Sequence, residues 1–117
     1  MVGKEKFGAF IRREREAKEL RLREMSKMIE VSPTYLSKCE RDELPPPVED
    51  KVRKIAKIID CDVDDLLARA NRVSTDITDI IKRHPVELAA LLRNTNGLTV
   101  KDITRLAKWA QTCRWHR

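Results

Sequence analysis

Glycine, cysteine and aromatic residues are scarce in this 117-residue chain, and each shortage narrows what it can be. Three glycines are scattered singly, so there is no glycine-rich loop to cradle a phosphate. Aromatic side chains make up only 4% of the sequence, so a core must be mostly aliphatic. The same scarcity leaves no stacking platform of the kind that holds single-stranded RNA. Cys39, Cys61 and Cys113 are an odd number without repeated spacing, and no secretory leader is visible. A reduced, cytoplasmic protein is the expectation. No apolar run reaches membrane-spanning length. His84 and His116 have no nucleophile or acid–base company. Cys113 with His116 offers two ligands where structural zinc takes four. The sequence thus predicts no enzymatic activity, no metal site and no cofactor.

What is abundant points to helices. Charged residues reach 38% and hydrophobic ones 41%, a balance that favours a folded chain over a disordered one. Leu, Ile, Ala, Lys, Arg and Glu dominate, all residues that tolerate or favour helix. The net charge of +6 suits a polyanionic partner such as nucleic acid. Its distribution weakens that inference. Residues 1–44 carry 11 positive and 9 negative charges, whereas residues 75–117 carry 8 and 4. Net basicity alone therefore does not locate a binding surface.

The hydrophobic period supplies the elements. Residues 7–19 place Phe7, Phe10, Ile11 and Arg15 on one helical face. A guanidinium on an apolar stripe needs a partner. A second helix over 22–30 turns Leu22, Met25, Ser26 and Ile29 inward. Ser32 is an N-cap and Pro33 sits at the first helical position, where its missing N–H costs nothing. The helix they open, 33–41, directs Leu36, Cys39 and Glu40 inward at i, i+3 and i+4. Pro45, Pro46 and Pro47 then stiffen the passage to a helix over 48–59, with Val48, Val52, Ile55, Ala56 and Ile59 inward. Asp62 caps a fifth helix, 63–72, built on Val63, Leu66, Leu67 and Ala70.

Residues 73–117 read as an added helical module behind a first domain at 1–72. Ile77, Ile80 and Ile81 lie in a helix over 76–83, and Pro85 opens another that ends in Asn94-Thr-Asn-Gly97. Thr99 and Asp102 have the spacing of a capping box at the start of the last helix, 100–112. The tail from Cys113 to Arg117 is expected to fray. The fold class is all-α: five helices plus an extension of about three.

Two short helices joined by a tight turn, the second with an exposed polar face, have the arrangement of a helix-turn-helix. Residues 7–67 resemble the lambda-repressor-like, or Xre (Cro/C1-type), DNA-binding domains. The resemblance lies in Ile11-Arg12-x-x-Arg15, in Leu20…Met25-Ser26, and in Val31-Ser32-Pro33-x-Tyr35-Leu36-Ser37-x-x-Glu40-Arg41. The proline before the fourth helix and Val63-Asp-Asp-Leu66-Leu67 match as well. The resemblance implies an ion pair between Arg15 and Glu40, each of which the periodicity had left in want of a partner. The alternative is two snorkelling surface charges. Three positions depart from the family. Glu19 and Asp42 stand where glycine is common, and Leu22 stands where a phosphate-touching glutamine is common.

By the same resemblance, helix 33–41 enters the major groove of double-stranded DNA. Thr34, Tyr35, Ser37 and Lys38 are then the candidates for base edges, and Ser32, Arg41, Arg21, Arg23 and Lys27 for phosphates. The bland alternatives are solvated charges and, for Tyr35, packing against the end of the second helix. Family members act as dimers on palindromic sites, which makes Leu88, Leu91, Leu92, Ile103, Leu106 and Trp109 candidates for a homodimer interface. Otherwise those residues complete one enlarged core. The resulting expectation is a cytoplasmic, nucleoid-associated transcriptional regulator, a repressor rather than an enzyme. An autorepressing antitoxin that binds a toxin protein is one alternative. A helical adaptor without DNA binding is the other.

Overall fold

The computed structural model describes residues 5–113, and these form eight α-helices and no strand. The helices are α1 (Phe7–Ala17), α2 (Leu22–Met28), α3 (Pro33–Glu40), α4 (Glu49–Ile59), α5 (Val63–Arg69), α6 (Thr75–Arg83), α7 (Pro85–Asn94) and α8 (Val100–Thr112). Residues 114–117, including His116, lie outside the described part. The chain divides into two compact units, residues 1–75 and 76–117.

In the first unit, α1, α2, α3 and α5 stop one to three residues short of their periodic patterns. The reason is local. Glu19, Glu30, Asp42, Asp60 and Asn71 take φ between 57° and 61°, the left-handed region. Each is followed by an N–H that reaches five residues back. Leu20 donates to the Arg15 carbonyl, Val31 to Ser26, Glu43 to Lys38, Cys61 to Ala56 and Arg72 to Leu67, at 2.8–3.1 Å. These are helix ends of the Schellman type, where glycine is the usual left-handed residue. None of the five here is glycine.

The core of this unit joins Phe7, Phe10 and Ile11 of α1 to Met25, Ile29, Leu36, Val52, Ile55, Ala56, Ile59, Leu66, Leu67 and Ala70. Ser26 is buried with them and turns its hydroxyl onto the Arg23 carbonyl at 2.9 Å. Leu22 and Val63 pack at the margin of the core. The expectation for Val48 fails, since it is 62% exposed. Val48 is the extended N-cap residue of α4, so it precedes the helical period, and the neighbouring Pro47 is the buried one.

Helices α1 and α3 meet at Gly8. A Cβ there would lie 2.6 Å from the Glu40 carbonyl oxygen, and closer still to that of Cys39. The Gly8 N–H donates to the Asp42 carboxylate at 3.3 Å, which ties the start of α1 to the corner after α3. At the other end, the Thr75 N–H and hydroxyl donate to Glu49 at 3.2 and 2.6 Å, and Arg53 donates to the buried Ser74 hydroxyl at 2.6 Å. These bonds hold residues 74 and 75 to α4.

The second unit is built differently. Thr99 and Asp102 form the expected capping box, and Gly97 takes φ 90° in the turn before it. No residue of α6, α7 or α8 is buried.

Two substitutions test this account of the first unit. Glu19→Gly removes a left-handed side chain that makes no core contact and raises the urea-unfolding free energy by about 0.5–1 kcal/mol. That is the left-handed penalty less the extra entropy of glycine in the unfolded chain. Gly8→Ala forces α1 off α3 and lowers the same quantity by about 3 kcal/mol, as overpacking does.

Candidate nucleic-acid interface

The exposed face of α3 is positioned from beneath. Ser32 accepts the Tyr35 N–H at 3.1 Å and Pro33 occupies the first turn, so the helix begins at a defined residue. Leu36 and Cys39 enter the core. Glu40 turns under the helix and takes two bonds from Arg15, from Nε at 2.8 Å and from Nη2 at 3.0 Å. The remaining guanidinium nitrogen, Nη1, donates to the Leu20 carbonyl at 2.6 Å. Both side chains are almost wholly buried, at 9% and 4% exposure. The hydrogen bond to Glu40 raises the Arg15 pKa, and burial only partly opposes it. One forked pair thus links α1, the corner before α2 and the inner face of α3.

With that face locked, Thr34 and Lys38 are exposed and Ser37 is half-buried. Tyr35 behaves differently from the other expected base contacts. Its side chain is half-buried. Burial raises the Tyr35 pKa, and the nearby Cys39 thiol adds to the shift. Burial also raises the thiol pKa of Cys39, which stays protonated and reaches the Pro45 carbonyl at 3.7 Å. Cys39 is therefore a small core residue, as its place on the inner face implied. Arg72, absent from the sequence-based reading, donates to the Pro46 carbonyl at 2.9 Å and holds the proline connector to the end of α5.

The expected phosphate residues Ser32, Arg21, Arg23, Lys27 and Arg41 are all exposed. Arg23, Glu24, Lys27, Pro33 and Thr34 share one surface depression, together with Ser26 and Val31. A second depression shares Arg23, Pro33 and Thr34 and adds Leu22, Ser37 and Arg41. The cations of α2 and the outer face of α3 therefore border a continuous concave strip. Arg21 contributes to the local fold as well, because its N–H donates to Glu24 at 2.8 Å. Gly8 and Asp42, which the periodicity could not single out, set the distance of α1 from this strip. The expected homodimer residues Leu91, Leu92, Ile103, Leu106 and Trp109 are exposed and Leu88 is half-buried, all within the second unit.

A capped second helix, held by its inner face and offering polar side chains outward, defines a helix-turn-helix protein. The family model for the helix-turn-helix domain matches residues 6–70, and the chain belongs to that family. Its fold is that of a DNA-binding regulator. Two solved structures are similar. One is the clp gene regulator ClgR from Corynebacterium glutamicum, 25% identical, covering 82% of this chain and 95% of that one, with a TM-score of 0.49. The other is the SinR protein/SinI protein complex, 23% identical, covering 90% of this chain and 94% of that one, also with a TM-score of 0.49. No curated protein matches the chain.

The buried pair has a measurable signature. Glu40→Ala strands the Arg15 guanidinium and lowers the urea-unfolding free energy by about 3–5 kcal/mol. Replacing both residues, Arg15→Met with Glu40→Leu, recovers most of that loss. A double variant as unstable as the sum of the single ones would show that the two residues do not act as a pair.

Proposed function

We propose that the protein is a sequence-specific regulator of transcription, a repressor, that binds double-stranded DNA as a homodimer. The observation that carries the reading is the outer face of α3. Thr34, Ser37 and Lys38 lie there on a helix whose rotation is held by Arg15 and Glu40. In the major groove Lys38 donates to guanine O6 and N7, and Thr34 offers its hydroxyl or methyl group to a neighbouring base. Tyr35 contributes from the flank, on a thymine methyl or a phosphate. Ser32, Arg21, Arg23, Lys27 and Arg41 contact phosphates and set the register without reading sequence.

The exposed apolar residues of the second unit support the dimer. Leu88, Leu91, Leu92, Ile103, Leu106 and Trp109 meet their counterparts in a second copy, which sets two α3 helices on a palindromic operator about one helical turn apart. The protein works in the cytoplasm, at the nucleoid. The same exposed faces are open to a different protein chain, as an antitoxin would require. Recovery of a stoichiometric small partner on purification from the native host would favour that reading over the homodimer.

In-vitro selection from random duplexes tests the proposal as a whole. The expected product is a palindrome with fixed half-site spacing, and failure to enrich any sequence would overturn it. On the selected site, Lys38→Ala weakens binding by about 1–3 kcal/mol and relaxes preference at one base pair per half-site. Equal weakening on every duplex would instead make Lys38 a phosphate contact. Sedimentation equilibrium should give a dimer, and a monomer at high micromolar concentration would remove the dimer from the model of action.

A further inference from the structure

A cleft of about 220 Å³ opens beside the recognition surface, lined by Arg12, Arg15, Leu22, Ser37, Glu40 and Arg41. Its floor is the Arg15–Glu40 pair, in which each carboxylate oxygen already takes a guanidinium N–H. The floor is thus close to neutral. The rim is cationic. Arg12 reaches Glu16 at 3.4 Å, with both side chains 56% exposed. Arg41 reaches Glu43 at 3.1 Å, and these side chains are about half exposed. Such surface pairs contribute little and are readily exchanged for a better acceptor. A phosphate is that acceptor, because an arginine fork meets two of its oxygens in charge-assisted bonds. The half-buried Ser37 lines the same cleft, and its hydroxyl is a further donor.

Position supports the same conclusion. Leu22, Ser37 and Arg41 also line the depression that contains Thr34 and Arg23, so the cleft continues into the strip beside α3. A DNA strand lying along that strip would pass its backbone over the cleft. Leu22 donates no side-chain hydrogen bond, and each oxygen of Glu40 is already taken by Arg15, so the donors the cleft offers a ligand are those of Arg12, Ser37 and Arg41.

We infer that Arg12, together with Arg41 and Ser37, clamps one DNA phosphate per half-site in this cleft. The inference rests on the proposed DNA binding and adds Arg12 of α1 to the interface. Arg12 acts as a positioning residue: it fixes the register of the backbone and reads no base.

The test is the salt dependence of binding to the selected duplex and to an unrelated one. Each phosphate contact contributes about 0.9 to the slope of log K against log salt. Arg12→Ala should lower the magnitude of that slope by about 1 on both duplexes, with a loss of about eightfold in affinity at 0.1 M salt. Lys57→Ala is the control for charge alone, since Lys57 is exposed on α4 and lines neither the cleft nor the strip. It should leave the slope unchanged. Urea unfolding of Arg12→Ala should match the wild type, because Arg12 is paired with Glu16, a carboxylate that is itself exposed. An unchanged slope for Arg12→Ala, an equal change for Lys57→Ala, or a loss confined to the selected duplex would each overturn the clamp. Those results would leave the DNA-binding reading intact. Absence of salt-dependent binding by the wild type would overturn both.

Discussion

The first unit depends on one buried ion pair. Arg15 and Glu40 come from helices α1 and α3, separated by 25 residues, and meet with almost no solvent around them. Either charge buried alone would be costly, and together they roughly offset that cost, so the pair contributes little net stability. Its effect is on geometry. Turning α3 by one residue, about 100°, would carry Glu40 off Arg15 and leave two unmatched charges in the interior. The third nitrogen of Arg15 adds the Leu20 carbonyl, so the corner into α2 is held by the same side chain. The outward direction of Thr34 and Lys38 follows from this arrangement underneath them.

The corners between helices carry a complementary constraint. Five left-handed residues close the helix ends of the first unit, and all have side chains. The penalty for that conformation is small for Asp and Asn, which bond locally, and larger for Glu19 and Glu30. Asp42 has a compensating bond, since its carboxylate accepts the Gly8 N–H. Gly8 itself is not a turn residue, and its missing Cβ lets the backbone of α1 approach the carbonyls of α3. Backbone permissiveness is therefore used for packing at Gly8, and the corners are closed by hydrogen bonding.

Much of this could be read in advance, for physical reasons that also mark where reading stops. Ser32-Pro33 and the i, i+3, i+4 set of Leu36, Cys39 and Glu40 are local signals, and α3 follows them closely. The pairing of Arg15 with Glu40 is not local. Periodicity shows two charges in want of partners, and only the family resemblance joined them. Val48 is apolar and in phase with α4, yet it precedes the helix, because phase cannot distinguish a cap from a first turn. Gly8 and Arg72 went unnoticed, since their roles rest on contacts more than 25 residues away in sequence. Arg12 is next to the recognised Arg15 motif, but only the assembled cleft places it beside Arg41.

The two units differ in how their helices are sustained. Helices of 9, 10 and 13 residues are marginal in water by themselves, and α6, α7 and α8 bury no residue. Their apolar side chains gain stability only when something covers them. In the proposed homodimer a second copy would do so, with a functional return. The surface of one first unit offers a few polar side chains and a handful of cations, enough for modest affinity at one half-site. Tethering two such surfaces makes the second half-site encounter intramolecular, at an effective concentration set by the geometry of the tether. Affinity and spacing preference then arise from the same contact. In the proposed homodimer the absence of buried residues in α6–α8 and the small outer face of α3 would be two parts of one design, since each would gain its effect on pairing.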